Sequence, residues 1–497
     1  MVEGFRENLA TNGLGFRNCR FLFLAKGGDH VPMRNLAILF IASFVSLICY
    51  GEAGRNRYAN ILSESIDKVA AFYVEPVTSR QLFESGMKGM LNDLDPYSGY
   101  ISPQQLSEFQ VDIQQEFGGI GIEVGMQDDR LTVLSPVPGT PAYKAGLLAG
   151  DTILSIEGQD TTGFSLQDAV ELMRGPRGTP VKLTVLHRGD EEPVEYSIIR
   201  DKIQIESIRG DHRSDDSEWV FQLTDDPRIG YVRLTSFGDH TAEDLAQRLG
   251  ELKGNVDGLI IDLRGNAGGL LTAAIEICDM FIPKGEMIVS TRGRDPKMQR
   301  EFLATKDPIV DPKLPIVILV DPLSASASEI FAACMQDYGR AIIVGERTWG
   351  KGTVQNVIEI EGGRSAIRLT TQTYWRPSGR NIHRHSDVTE EDEWGVKPLP
   401  ENEVRLTPEQ REAFYKYRRD RDISPSLDDE GVKDKLELQD ADGDDTDGDN
   451  TDGDNVQIEL DETVDLQLQR AIEVLKQEMP PRVTTAIGTN SALPKAA

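Results

Sequence analysis

Ser326 and Lys351 are the two residues whose types and surroundings could do covalent chemistry. Ser326 is the middle serine of the run Ser324-Ala325-Ser326-Ala327-Ser328. This run follows the apolar stretch Ile316–Val320 and leads straight into a helical pattern over residues 329–338. The first turn of a helix has backbone N–H groups without intrahelical partners, so a hydroxyl there sits where developing negative charge is favoured. Small residues in such a turn also let the backbone pass close to another group. Lys351 stands on a Gly-rich turn, Gly350-Lys351-Gly352, after a second apolar stretch at 341–344. A hydroxyl and an amine can serve as nucleophile and base, provided burial lowers the lysine from its free pKa of about 10.4. Trp349 and the apolar strand before Gly345 are the candidates to supply that burial.

Plainer explanations exist for both residues. Ser326 followed by Glu329 fits the S-x-x-E capping box, which needs no catalysis. Gly345 to Lys351 fits the phosphate-loop pattern G-x-x-x-x-G-K, but Gly352 stands where that loop needs Ser or Thr. The following residues, Thr353–Ile360, alternate like a strand where a phosphate loop opens a helix. A Ser-His-Asp arrangement is the internal rival. The six histidines, His30, His187, His212, His240, His383 and His385, carry no recognisable motif and are expected to be solvated. His383 and His385 also form a weak i,i+2 metal-binding pattern. Of the four cysteines, Cys19 and Cys49 fall in the N-terminal region, and Cys278 and Cys334 read as small core residues. No disulfide framework or zinc spacing is visible.

Several separate motifs together resemble the C-terminal processing peptidases, also called tail-specific proteases, which are S41-type serine peptidases with a PDZ domain. They are SASASE at 324–329, GERTWGKGTVQ at 345–355, DLRGNAGG at 262–269 and LDPYS at 94–98. The resemblance spans about residues 58–418. It implies Ser326 as nucleophile, Lys351 as general base and Gln355 as the residue that orients the lysine. It assigns the oxyanion to the N–H groups of Gly269 and Ala327, with no metal and no cofactor. Phe117-Gly118-Gly119-Ile120-Gly121 resembles the PDZ loop that holds a peptide carboxylate, beside a strand edge to which a peptide can add. LDPYS is expected to pack rather than to react. The family's usual G-I-x-P-D is replaced by Gly395-Val-Lys-Pro-Leu-Pro, which puts that loop in doubt and leaves the catalytic residues intact.

The elements that must position these residues give a mixed α/β, multidomain fold: a Ser/Lys protease core with an inserted PDZ domain and an N-terminal helical segment. Met33-Arg34 followed by the apolar run 36–50 has the form of a signal peptide or membrane anchor, so residues 1–32 are expected to be an upstream extension. The protein is accordingly expected to be exported to the periplasm or cell envelope, with the 36–50 anchor left open. The helical segment is expected over 56–112, the PDZ domain over 113–200 and the peptidase core over 201–425. An acidic disordered insertion follows at 426–465, then a closing helix at 466–480 and a tail at 481–497. Residues 428–465 hold 17 Asp and Glu against two Lys, −15 of the chain's −29 net charge. Their five-residue D-G-D repeat resembles the start of a calcium loop, but the distal Glu and flanking helices are missing, and self-repulsion favours disorder.

The net charge argues against nucleic acid as a partner. Protein or peptide substrates with exposed C-termini are the expected partners, with membrane association and an adaptor or self-association left open. The competing class is a catalytically silent PDZ scaffold that holds protein tails.

Overall fold

Four apolar runs build the central sheet. In the computed structural model, which describes residues 37–38, 40–46, 57–127, 129–214, 218–422 and 465–480, Ile229–Leu234, Gly258–Asp262, Ile316–Val320 and Ile342–Gly345 lie parallel in that order. Ile208–Arg209 adds an antiparallel edge. Apart from Arg233 and Asp262 near two strand ends, the four runs are apolar throughout, because both faces of the sheet are covered. Ile316, Ile318 and Val320 face the helices Thr241–Leu252, Leu271–Asp279 and Ala327–Asp337, packing with Leu245, Ile277 and Phe331. Val317 and Leu319 face the other way, onto Ala471, Val474 and Leu475 of the closing helix Leu466–Glu478.

A buried ion cluster sets where that closing helix docks. Arg264 lies 2.6 Å from Asp262 and 2.7 Å from Asp465, and all three side chains are almost wholly excluded from solvent. Asp465 also accepts the N–H of Leu468 and so caps the helix start. Asp465, expected as the last residue of the acidic insertion, instead belongs with the helix through its buried carboxylate.

A second, antiparallel sheet runs Gly99–Ile101, Ser365–Trp375, Met287–Gly293, Arg300–Leu303, with Thr353–Ile360 also paired to Ser365–Trp375. It carries Gln355. The PDZ-like segment forms its own sheet, Ile122–Gln127, Arg130–Pro136, Thr152–Ile156, Pro180–Leu186 and Val194–Ile199, around Leu131, Val133, Ile153, Val181 and Val185. Ala169 and Met173 of the helix Leu166–Met173 close that core. Arg200 donates to the Leu172 and Met173 carbonyls, a cation at a helix C-terminus where the dipole favours it.

The described residues divide into two compact units, one up to Gly86 and one from Met87 onward. The helices Arg57–Phe72 and Ser79–Asn92 occupy the expected N-terminal segment. Residues 1–32, the acidic repeat and the 481–497 tail lie outside the described residues. The apolar run is described only at 37–38 and 40–46, where it is helical. Among the described residues no helix is long and apolar enough to cross a membrane.

Candidate active site

Two neighbouring strands of the parallel sheet, Gly258–Asp262 and Ile316–Val320, end in loops that are tied to each other. Asp321 accepts the N–H groups of Gly265, Leu323 and Ser324, each at 3.0 Å. Ser324 donates to the Leu263 carbonyl at 2.9 Å, and Ser328 donates to the Asn266 carbonyl at 2.9 Å. The same Asn266 carbonyl accepts the Ala325 N–H at 3.0 Å. Two of the three serines are thus bound to backbone carbonyls across the loops, and Ser326 is the one not used in this way.

Ser326 has φ 58° and ψ −112°, a left-handed backbone that costs a non-glycine residue about 1–3 kcal/mol. Its N–H donates to Glu329 Oε2 at 2.8 Å, and its carbonyl accepts the Ile330 N–H at 3.0 Å. The carboxylate half of the expected capping box is therefore formed, on a residue whose φ is not that of an ordinary cap. Gly268 presses on this turn with φ 101°, and a Cβ there would lie 2.9 Å from Ser326 Cβ and 2.9 Å from Ala327 N. The Gly268 N–H is taken by Asn266 Oδ1. By contrast, the N–H groups of Gly269 and Ala327 have no partner among the described residues. Because glycine adopts φ 58° without strain, Ser326→Gly is expected to be more stable than Ser326→Ala by about 1 kcal/mol in urea unfolding. Equal midpoints would count against it.

Glu329 joins the Ser326 turn to the Lys351 turn. It is fully buried, with Oε1 accepting from Thr348 Oγ1 (2.6 Å) and Gly350 N (2.7 Å). Its Oε2 accepts from the N–H groups of Ser326 and Lys351, both at 2.8 Å. Burial pushes the carboxyl up and these four donors oppose it. Four donors and no acceptor for a proton fit the carboxylate form.

Burial is the main force that lowers Lys351 below its ordinary value; Arg368 adds to this and Glu329 opposes it. The amine rests over the Tyr97 ring, 5.4 Å from its centroid, and among the described residues it has no hydrogen bond to Ser326 or Gln355. Gln355 turns its Nε2 to Thr353 Oγ1 (2.8 Å) and Thr370 Oγ1 (3.3 Å). Trp349, expected to bury the lysine, is 51% exposed, and its Nε1 reaches the Tyr97 hydroxyl at 3.3 Å. After Gly352 comes a strand, Thr353–Ile360, as the alternating pattern predicts.

Four neighbours were missed or misjudged from sequence. Tyr97, in the stretch assigned to packing, touches the amine. Glu329 was read only as a cap. Tyr374 is buried close to Ser326, and burial raises its hydroxyl to about 12, with the Ser326 hydroxyl working the other way. His383 is half-buried rather than solvated, with its backbone against Gly352 and its ring 6.2 Å from that of Tyr97. Burial, followed by His385, lowers its pKa. His187 is also engaged, bonded to Asp151 (2.8 Å) and Tyr196 (2.7 Å) inside the PDZ-like sheet. Cys278 and Cys334 are buried free thiols. No cluster of three or more His, Cys, Asp or Glu suited to a metal occurs among the described residues.

The PDZ-like loop borders a cavity of about 330 Å³ that runs between the strand Ile122–Gln127 and the helix Leu166–Met173. Phe117, Gly119, Ile120 and Gly121 line it, together with Leu134 and Val170. Gly118 does not. It sits in the strand Glu116–Gly119, paired to Asp201–Gln204, where a Cβ would come within 2.2 Å of the Gly175 carbonyl. The N–H groups of Ile120 and Gly121 have no partner among the described residues.

The Ser326 and Lys351 turns on a parallel α/β core, with a grooved second sheet beside the 117–121 loop, coincide with two known family patterns. The models of Peptidase family S41 and of the PDZ domain match residues 228–398 and 132–186. The carboxy-terminal-processing protease of Bartonella bacilliformis is 39% identical over 335 residues, covering 66% of this chain and 74% of that one. The carboxy-terminal processing protease CtpB of Bacillus subtilis is 33% identical over 335 residues, covering 67% of each. Among solved structures, a photosystem II D1 C-terminal processing protease aligns at 27% identity over 70% of this chain and 93% of that one, with a TM-score of 0.39. The chain belongs to the carboxy-terminal-processing protease family of S41 serine-type peptidases.

Proposed function

We propose that this peptidase is an exported endopeptidase that takes substrate C-termini in its PDZ groove and cleaves with a Ser326/Lys351 dyad. The observation that carries the reading is the Glu329 carboxylate, which binds the backbone N–H of both Ser326 and Lys351 and so brings the two residues together at one helix start. Neutral Lys351 leaves the Tyr97 ring and takes the proton of Ser326 as Oγ attacks the scissile carbonyl. The oxyanion is met by the N–H groups of Gly269 and Ala327. The Lys351 ammonium then protonates the leaving amine, and the acyl-enzyme forms as the C–N bond breaks. Water attacks the ester, giving its proton to Lys351, which passes it to Ser326 Oγ as the C–O bond breaks and the product carboxylate leaves. Gln355 orients the amine. Substrate tails are bound by strand addition along Ile122–Gln127, with the carboxylate at the Ile120 and Gly121 N–H groups.

The test is digestion of an unfolded protein with an apolar C-terminus by wild type and Ser326→Ala. Wild-type cleavage with none by the variant is expected. Equal cleavage by both would remove Ser326 from the role, and binding without cleavage by either would leave a PDZ scaffold. Export rests on the Met33 to Tyr50 pattern alone; fractionation that leaves the protein with cytosolic markers would overturn it.

A further inference from the structure

The 95–98 turn, assigned to packing on sequence, is bonded to the strand opposite Gln355. Asp95 Oδ1 accepts the N–H groups of Tyr97 and Ser98, both at 2.8 Å, and Asp95 Oδ2 accepts the Ser98 hydroxyl at 2.7 Å. The Ser98 hydroxyl oxygen in turn accepts the Thr370 N–H at 3.0 Å. Gly99–Ile101 continues as a strand paired to Ser365–Trp375. The Thr370 hydroxyl donates to Asp95 Oδ1 at 3.1 Å, and Gln355 is the register partner of Thr370.

We propose that Asp95 is a positioning residue for the base: acting through Thr370, it decides which end of the Gln355 amide is offered to Lys351. The proposal rests on the Ser326/Lys351 reading above and deepens it. A carboxylate can only accept hydrogen bonds, and a threonine hydroxyl has one proton to give. Thr370 gives it to Asp95, so toward Gln355 it can only accept. Gln355 must then turn its Nε2 to Thr370, as it does, with Thr353 as the second acceptor. The oxygen end of the amide is left for the amine. A glutamine amide presents a donor or an acceptor after a half-turn of nearly equal shape, so its surroundings alone choose between them.

The choice matters at a lysine base. An amide oxygen accepts an N–H of Lys351 and leaves the nitrogen lone pair to take the serine proton. An amide NH₂ turned to the amine would bond that lone pair instead. The hydrogen bonds to Asp95 keep its carboxyl below its ordinary value even though burial pushes it up, so it is charged at neutral pH and orders the chain as an acceptor. The turn is also adjacent to the amine, since Tyr97, two residues on, lies beneath Lys351. Its carbonyl accepts Arg368 Nε at 2.9 Å.

The test is peptidase kinetics of full-length Thr370→Val, which keeps the branched shape and removes the hydroxyl. The kcat is expected to fall about tenfold with little change in KM, and Thr370→Ser to recover most of the loss. An amide oxygen favours the Lys351 ammonium, so losing it should also move the acid limb of the kcat–pH profile to lower pH, which a loss of packing alone would not do. In a Gln355→Ala background Thr370→Val should have no further effect. Should Thr370→Val fail to fold by circular dichroism, Thr370→Ala serves in the same cycle. Wild-type kcat and acid limb in the Thr370 variant, or an effect that simply adds to Gln355→Ala, overturns the proposal. A Ser326→Ala variant that still cleaves overturns the underlying reading instead, so the two failures are distinguishable.

Discussion

Lys351→Met is expected to lower kcat by about a thousandfold or more, with PDZ-groove binding of a substrate tail unchanged. General-base catalysis contributes roughly 10²–10⁴ in rate, and methionine keeps the length of the side chain while removing the proton acceptor. The wild-type pH profile tests the same assignment. The active form is the neutral amine, so the rate rises with pH through the Lys351 pKa. Burial, with Arg368 beside it, places that pKa below the ordinary lysine value. The acid limb should therefore lie below the free-lysine region near about 10.4. The stability effect runs the other way. The folded state binds the Lys351 proton less well than the unfolded chain does, which costs stability in full below the folded pKa; the cost is relieved as pH rises from that pKa to the unfolded value of about 10.4. Methionine has no charge to bury, so Lys351→Met should be the more stable protein at neutral pH. A variant that keeps wild-type turnover, or a rate that falls as pH rises through the limb, would remove Lys351 from the base role.

Glu329→Gln should damage both folding and catalysis. Glu329 accepts from Thr348, Ser326, Gly350 and Lys351 in a site that excludes water. A glutamine oxygen can serve one side of that set, and its NH₂ would meet two donors on the other. Each buried donor left unpaired costs about 1–3 kcal/mol, so a loss of roughly 2–5 kcal/mol is expected in urea unfolding. The donors at risk include the N–H of Ser326, which helps hold a left-handed backbone. Activity measured where the variant remains folded should fall about a hundredfold or more. Wild-type stability would show that the four bonds do not need a charge. Full activity in the folded variant would show that Glu329 does not hold Ser326 in its reactive pose.

Much of the core was legible because its signals are local. The runs Ile316–Val320 and Gly258–Asp262 are apolar at every position but one, since both faces of a parallel sheet are buried. The strand Thr353–Ile360 follows its alternation to the residue. The left-handed Ser326 was not legible. Serine does not favour φ 58°, and the conformation persists because Glu329, three residues on, and Asn266 and Gly268, in one loop about 60 residues earlier, meet around it. The role of Asp95 and Tyr97 was missed for the same reason. Some 250 residues separate them from Lys351 and Gln355, and nothing at positions 94–98 indicates what the strand Ser365–Trp375 will carry past them.

The sequence by itself determined which residues could react and which elements present them. Ser326 at a helix start, Lys351 on a glycine turn and a glycine-rich loop after a buried strand are short-range facts of residue type and period. Tertiary structure alone decided how those residues are held: a buried carboxylate shared by two turns, an aromatic ring under the amine, and an Arg264 pair of carboxylates that ties the last helix to the sheet. These are contacts between segments far apart in the chain, between groups that are costly to bury alone and stable only together. No pattern within one segment encodes its partner.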